Sequence, residues 1–215
     1  MIDINEIFTQ DILWQMSFAE RMTIFYLFNK IPRKKVAIEI GSYKGGFLRV
    51  LCRNFDTVYS LDINHSNLDK SLYPNAKWIE GDSKETLPAL VSELNTNGVC
   101  VDFAMVDGDH SYKTVLADIN NLLKLHVNHD MIIMGHDSWY PETRQAFVDA
   151  DWNGNPHVHK IETDFVTGDL FRNTYVGGLA LAVLSPEKRV GNVVVSQTNN
   201  YMHTTVTNLV KQSGL

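Results

Sequence analysis

The chain is 215 residues long, a length that suits one domain with a full-sized core. Hydrophobic residues make up 44 % and charged residues 20 %, which excludes a disordered chain. The formal net charge of −6 argues against a surface that grips a phosphate backbone, and the run Arg33-Lys34-Lys35 is too short to reverse it, so no nucleic-acid partner is expected.

In chain order, Ser17 and Glu20 form a capping-box signature ahead of Met22, Phe25 and Phe28, and Pro32 closes that helix. A buried strand reads Val36 to Ile40. A glycine turn follows, then a helix carrying Phe47, Val50, Leu51 and Phe55. Strands are expected at Thr57 to Leu61 and Ala76 to Glu80. Leu87, Leu90, Val91 and Leu94 then mark one helical face. A fourth strand spans Val101 to Val106. The next helix carries a stripe from Tyr112 through Val115, Leu116, Ile119, Leu122 and Leu123. A fifth strand, Met131 to Met134, ends at Gly135-His136-Asp137, and Pro141 opens another helix. Two later strands lie around His157 to Ile161 and Leu179 to Leu184. Val193 to Val195 fits an edge strand.

This alternation predicts an α/β, doubly wound, mostly parallel sheet with helices on both faces. One domain, 1–215, divides into a helical cover (1–32), a core (36–137) and a C-terminal part (138–215). Such sheets bind ligands beyond the carboxyl ends of their strands. Glu39, Asp62, Asp82, Asp107, Asp109, His136 and Asp137 gather at those ends. The acidic opening Met1 to Glu6 is unlike a signal peptide, and no apolar run approaches membrane-spanning length. A cytoplasmic chain with no membrane partner is expected. Cys52 and Cys100 are expected as two thiols.

The turn Glu39-Ile40-Gly41-Ser42-Tyr43-Lys44-Gly45-Gly46 is a poor dinucleotide site. The second glycine of Gly-x-Gly-x-x-Gly, which lets the pyrophosphate approach, is Tyr43 here. Glu39 adds negative charge and suits a cationic ligand. S-adenosylmethionine has that charge: a sulfonium, an ammonium, one carboxylate and no phosphate. The N–H groups of the turn and Ser42 suit its carboxylate, and Asp62 its ribose hydroxyls. Gly81-Asp82-Ser83 stands where an adenine amino group would be read. Asp82, which precedes a helix, equally fits a cap.

Residues 36–137 resemble the class I S-adenosylmethionine-dependent methyltransferases, in the branch with an E-I-G-S-Y-x-G turn and a D-G-D-H-S-Y segment. These stand here as Glu39 to Gly45 and Asp107 to Tyr112. The resemblance implies a Rossmann-like sheet of seven strands, the last antiparallel. It implies cofactor contacts from Glu39, Gly41, Ser42, Lys44 and Gly45 in the turn. Further contacts come from Asp62 and Ile63, from Gly81, Asp82 and Ser83, and from Asp107. It also implies methyl transfer to a small-molecule acceptor, with O-methylation of a sugar, phenol or natural-product hydroxyl as the expected reaction.

A hydroxyl acceptor must lose a proton, to a general base or with help from a metal. His110 is the first candidate base, followed by Asp109 and His136. Asp107, His136 and Asp137, at the ends of successive strands, suit a divalent cation such as Mg2+ or Mn2+. The pattern is similar to magnesium-dependent sugar and catechol O-methyltransferases. His136 departs from it by replacing an acid, and this softer ligand suits manganese or zinc as well. Asp149 to Gly154 imitates the start of a calcium loop, but its twelfth position is Lys160. Trp139 and Tyr140 fit either an acceptor wall or a core cover. The acceptor pocket is expected from residues 1–32 and 138–178. The tail from Val190 fits a lid or a homo-oligomer contact. The rival functions are an NAD-dependent oxidoreductase and a non-catalytic cofactor-binding protein.

Overall fold

The computed structural model describes residues 13–171 and 174–213. The acidic opening and the first part of the expected helical cover lie outside the described residues. The first helix, α1, spans Phe18–Lys30 and starts at the expected capping box. The Ser17 hydroxyl accepts from the Glu20 N–H at 3.3 Å while the Glu20 carboxylate accepts from the Ser17 N–H. Such a box adds about 1 kcal/mol by satisfying N–H groups the helix leaves open.

The core then runs β1 (Val36–Ile40), α2 (Gly46–Asn54), β2 (Thr57–Asp62), β3 (Ala76–Glu80), α3 (Ser83–Thr96) and β4 (Phe103–Val106). It continues with α4 (Tyr112–Leu122), β5 (Met131–His136) and α5 (Pro141–Asp149). After it come β6 (Val158–Val166), β7 (Asp169–Phe171), β8 (Thr174–Val176), β9 (Leu179–Leu184), β10 (Val195–Ser196) and α6 (Asn200–Ser213). The main sheet has the order β10-β6-β9-β5-β4-β1-β2-β3, and β9 alone runs antiparallel to its neighbours.

Alternating side chains assign the two faces. Ile38, Ile40, Ala104 and Val106 pack with α3, α4 and α5 on one face. Ala37, Phe103 and Met105 pack with α1 and α2 on the other, where Phe28 meets Phe103 edge-on at 5.0 Å. Central strands are buried on both faces, so they read as continuous apolar runs.

The structure corrects the strand count. The expected seven become eight because Val195–Ser196 adds a short parallel edge to β6. The hairpin β7–β8 and helix α6 were not anticipated. The hairpin strands have three residues each, too few for a periodic signal. The fourth strand begins at Phe103 and the fifth extends to His136. The false calcium loop is a turn in which the Asp151 carboxylate accepts from the Gly154 N–H at 3.0 Å. Cys52 and Cys100 are free thiols, and burial pushes the Cys52 thiol up to about 12. No helix among the described residues is long and apolar enough to cross a membrane.

Candidate active site

Two cavities open beyond the carboxyl ends of the strands. One, of about 650 Å³, lies over β1, β2 and β3 and is lined by Asp62, Ile63, Gly81, Asp82, Ser83 and Asp109 among others. The second, of about 820 Å³, lies over β1, β4 and β5 and under residues 13–17. Gly41, Tyr43, Asp107 and Gly108 line both, so the cavities meet where β1 and β4 end.

That junction needs a glycine. Gly41 has φ +89°, and a Cβ there would lie 2.2 Å from the Asp107 carbonyl oxygen. The turn is held by an acid from the next strand. Asp62 Oδ2 accepts from the N–H groups of Ser42 at 2.8 Å and Tyr43 at 2.9 Å, and Oδ1 accepts from Asn64 at 3.0 Å. These turn N–H groups were expected to be free for a ligand carboxylate, and they point at Asp62 instead. Ser42 is buried, with its hydroxyl 2.6 Å from both Glu39 Oε2 and Ser60 Oγ. Burial raises the Glu39 carboxyl well above the usual range, with Asp107 and Asp62 adding to the rise and the Ser42 hydroxyl opposing it.

Asp82 caps α3 through the Lys84 N–H at 2.9 Å and lines the smaller cavity as well, so cap and site coincide. Lys44 and Gly45 line neither cavity. The Lys44 ammonium lies 5.4 Å from the Tyr43 ring centroid, and Gly45 starts α2 against Tyr73.

At the larger cavity, parallel pairing sets Val106 opposite Gly135, which brings Asp107 beside His136. His136 Nδ1 lies 3.0 Å from Asp107 Oδ1 and 3.0 Å from Asp137 Oδ2. His110 Nε2 lies 3.1 Å from Asp137 Oδ2 and 3.7 Å from Asp107 Oδ1. Asp137 adopts φ +52°, rare for a non-glycine residue, and its Oδ1 accepts from the Gly177 N–H. Burial would raise the Asp137 carboxyl, but the His136 contacts outweigh it and hold it down to about 2. Burial would likewise depress the His136 imidazole. Asp107, Asp137 and Glu20 outweigh it and hold the ring well above the usual histidine range. The Asp107 contact raises His110, against burial.

Among the described residues, Asp107, His110, His136 and Asp137 offer ligand atoms within 4.8 Å of one another. The Nε2 atoms of His110 and His136 are buried and face carboxylates of Asp137 and Glu20 at 3.1 and 3.3 Å without hydrogen-bond geometry. Two carboxylates and two imidazoles so converged fit a divalent cation of intermediate softness. His110, expected as a base, therefore stands among the ligand candidates. Asp109, the second expected base, faces the smaller cavity, where it accepts from Ser111 and Thr114 hydroxyls at 2.6 and 2.9 Å. Its short side chain is engaged at the start of α4, so it is not brought to the cluster.

Glu20 was read only as half of a capping box. It is 1 % exposed, its Oε1 accepts from the Gly178 N–H at 2.6 Å, and that oxygen lies 3.3 Å from His136 Nε2. One carboxylate thus ties α1 to the ends of β5 and β9. Nothing local in the sequence announces this, because the partners lie 158 positions apart. Trp139 is buried against Tyr175 and His203, so it covers the core. Tyr140 lines the larger cavity, as does Trp14 from the N-terminal stretch.

Residues 38–138 match the family model of a methyltransferase domain. No curated protein matches the sequence. Among solved structures, the fold is similar to N-methyltransferase NodS from Bradyrhizobium japonicum in complex with S-adenosyl-L-homocysteine. That match has 14 % identity and a TM-score of 0.53, over 85 % of this chain and 96 % of that one. It is also similar to an rRNA methylase from Streptococcus thermophilus, at 14 % identity and TM-score 0.52, over 80 % of this chain and 98 % of that one. A precorrin 8w decarboxylase from Methanobacterium thermoautotrophicum matches at 18 % identity and TM-score 0.52, over 86 % and 100 % of the two chains. Likeness at this identity speaks for the fold, and the matched domain for the chemistry. Residues 38–138 thus carry a methyltransferase domain on a mostly parallel sheet, the arrangement of the class I S-adenosylmethionine-dependent methyltransferases it resembles.

Proposed function

We propose that this methyltransferase acts on a hydroxyl oxygen of a small-molecule acceptor, with a divalent cation, magnesium or manganese, bound at the acid–histidine cluster. The observation that carries this reading is the convergence of Asp107, His110, His136 and Asp137 in the larger cavity, beside the border with the smaller one. The smaller cavity takes the adenosine end, with Asp62 toward the ribose and Gly81, Asp82, Ser83 and Ile63 around the base. Gly41, Tyr43 and Asp107 stand where the methyl-bearing sulfonium would face the acceptor.

Methyl transfer is a displacement at an activated carbon, so alignment of acceptor and sulfonium supplies much of the rate. Asp107, His136 and Asp137 would hold the cation, which supplies a lowered pKa at the acceptor hydroxyl. His110 has the most open side chain of the four, 41 % exposed, and takes the hydroxyl proton. Glu20 and the Gly177 N–H hold His136 and Asp137 in place. The net charge of −6 favours a small acceptor over RNA.

The test is methyl transfer from radiolabelled S-adenosylmethionine to a panel of hydroxyl, amine and RNA acceptors. A hydroxyl acceptor is expected to be labelled, with turnover removed by a chelator and restored by Mg2+ or Mn2+. Chelator-insensitive labelling of amines or RNA contradicts the reading.

A further inference from the structure

The larger cavity is acidic in an uneven way. Glu20, Glu39, Asp107, Asp137 and Asp169 line it, and no lysine or arginine does among the described residues. The nearest candidates are committed elsewhere. The Arg21 guanidinium donates to the carbonyls of Met16, at 2.9 Å, and Trp14, and lies 4.8 Å from the Trp14 ring centroid. Lys44 lies over Tyr43. A cation at the cluster engages Asp107 and Asp137, Glu20 is held by the Gly178 N–H and faces His136, and Asp169 is left with no lysine or arginine on the cavity wall. The remaining wall includes the aromatic rings of Trp14, Tyr43, Phe47 and Tyr140, whose faces attract cations.

Resting on the reading of this cavity as the acceptor side, we propose that the acceptor carries its hydroxyl on an amine-bearing or uncharged body and has no phosphate or carboxylate. The contrast in binding comes from desolvation. An anionic group entering this cavity loses water and meets Asp169 with no lysine or arginine beside it, whereas an ammonium meets Asp169 and the ring faces. Asp169 is the specificity-determining residue: it sits on the exposed strand β7, outside the acid–histidine cluster.

The test uses a matched trio on one phenol ring: tyramine, 4-ethylphenol and 4-hydroxyphenylacetate. Each is titrated into the full chain saturated with S-adenosylhomocysteine and followed at the Gly177 amide and Trp14 indole by NMR. Tyramine is expected to bind at least about tenfold more tightly than 4-hydroxyphenylacetate, with 4-ethylphenol between them. In Asp169→Lys that ratio is expected to shrink at least about threefold. Equal or tighter binding of the acid, an unchanged ratio in the variant, or no response of the cavity signals to any member overturns the proposal. If S-adenosylhomocysteine itself fails to bind, the cofactor assignment fails, and the trio titrated into the free chain still reads the charge preference.

Discussion

The two cavities are built in opposite ways. The smaller is made of short contiguous turns: Gly41 to Tyr43 beside Asp62 to Asn64, and Gly81 to Lys84. Its polar side chains mostly hold backbone N–H groups, as Asp62 does for Ser42 and Tyr43 and Asp82 for Lys84. The larger brings groups from distant segments to the ends of β1, β4 and β5. Glu20 comes from α1, Asp107 and His110 from the end of β4, His136 and Asp137 from the end of β5, and Gly177 from the turn before β9. Backbone turns hold one ligand shape and tolerate variation of the chain around them. A side-chain cluster assembled over long range sets chemistry and acceptor, and it changes with each contributing segment.

The contrast breaks most visibly at Asp137. Asp137→Ala removes a carboxylate from the cluster together with the Gly177 anchor. It should lower turnover by at least about 100-fold in steady-state assays while cofactor affinity stays near wild type. Glu20→Gln is milder. Glutamine keeps one acceptor oxygen, so it can complete the capping box but loses the Gly178 N–H bond together with the charge facing His136. Turnover should fall about tenfold with a loss of only a few degrees in melting temperature. A collapse of stability instead would mean that Glu20 serves folding alone.

The smallest effect belongs to the cofactor side and concerns stability. Asp118 is fully buried on α4, and burial pushes its carboxyl up to about 6, with Asp82 and Asp109 adding to the rise and Ser83 and Lys84 opposing it. The folded chain therefore holds this proton to higher pH than the unfolded chain does. Its contribution is most favourable below about pH 4, is lost as pH rises through about 6, and stays lost above. Asp118→Asn should flatten that dependence and raise the melting temperature at pH 7.5 by a few degrees, measured by calorimetry across pH 4 to 8. A lower melting temperature at pH 7.5 would show that the ionised carboxylate is needed.

The same contrast governs what can be read from the sequence. The strand and helix pattern from Val36 to Asp149 is legible because core strands are continuous apolar runs and the helices carry apolar stripes. The Asp82 cap is legible because it depends on Lys84 two positions on, whereas Asp62 holds the turn N–H groups of Ser42 and Tyr43 about 20 positions away, which no local pattern announces. Asp107, His136 and Asp137 could be brought together only by assuming that β4 and β5 are adjacent, which the pairing of Val106 with Gly135 provides. Glu20 and Gly177 could not be found this way, since their meeting depends on where α1 and the β8–β9 turn settle on the finished sheet. Asp109 misled for the opposite reason. It is next to His110 in sequence, yet the chain turns between them and commits its carboxylate to the start of α4.

The most direct measurement is calorimetric titration of S-adenosylhomocysteine into the wild-type chain, Asp62→Ala and Asp137→Ala side by side. The account predicts saturable binding to wild type and Asp137→Ala with affinities within about threefold, and loss of about tenfold or more in Asp62→Ala, whose carboxylate organises the turn and lines the cavity proposed for the adenosine end. Equal weakening in both variants, or undiminished binding in Asp62→Ala, would contradict the division of the site into a cofactor half and a chemical half.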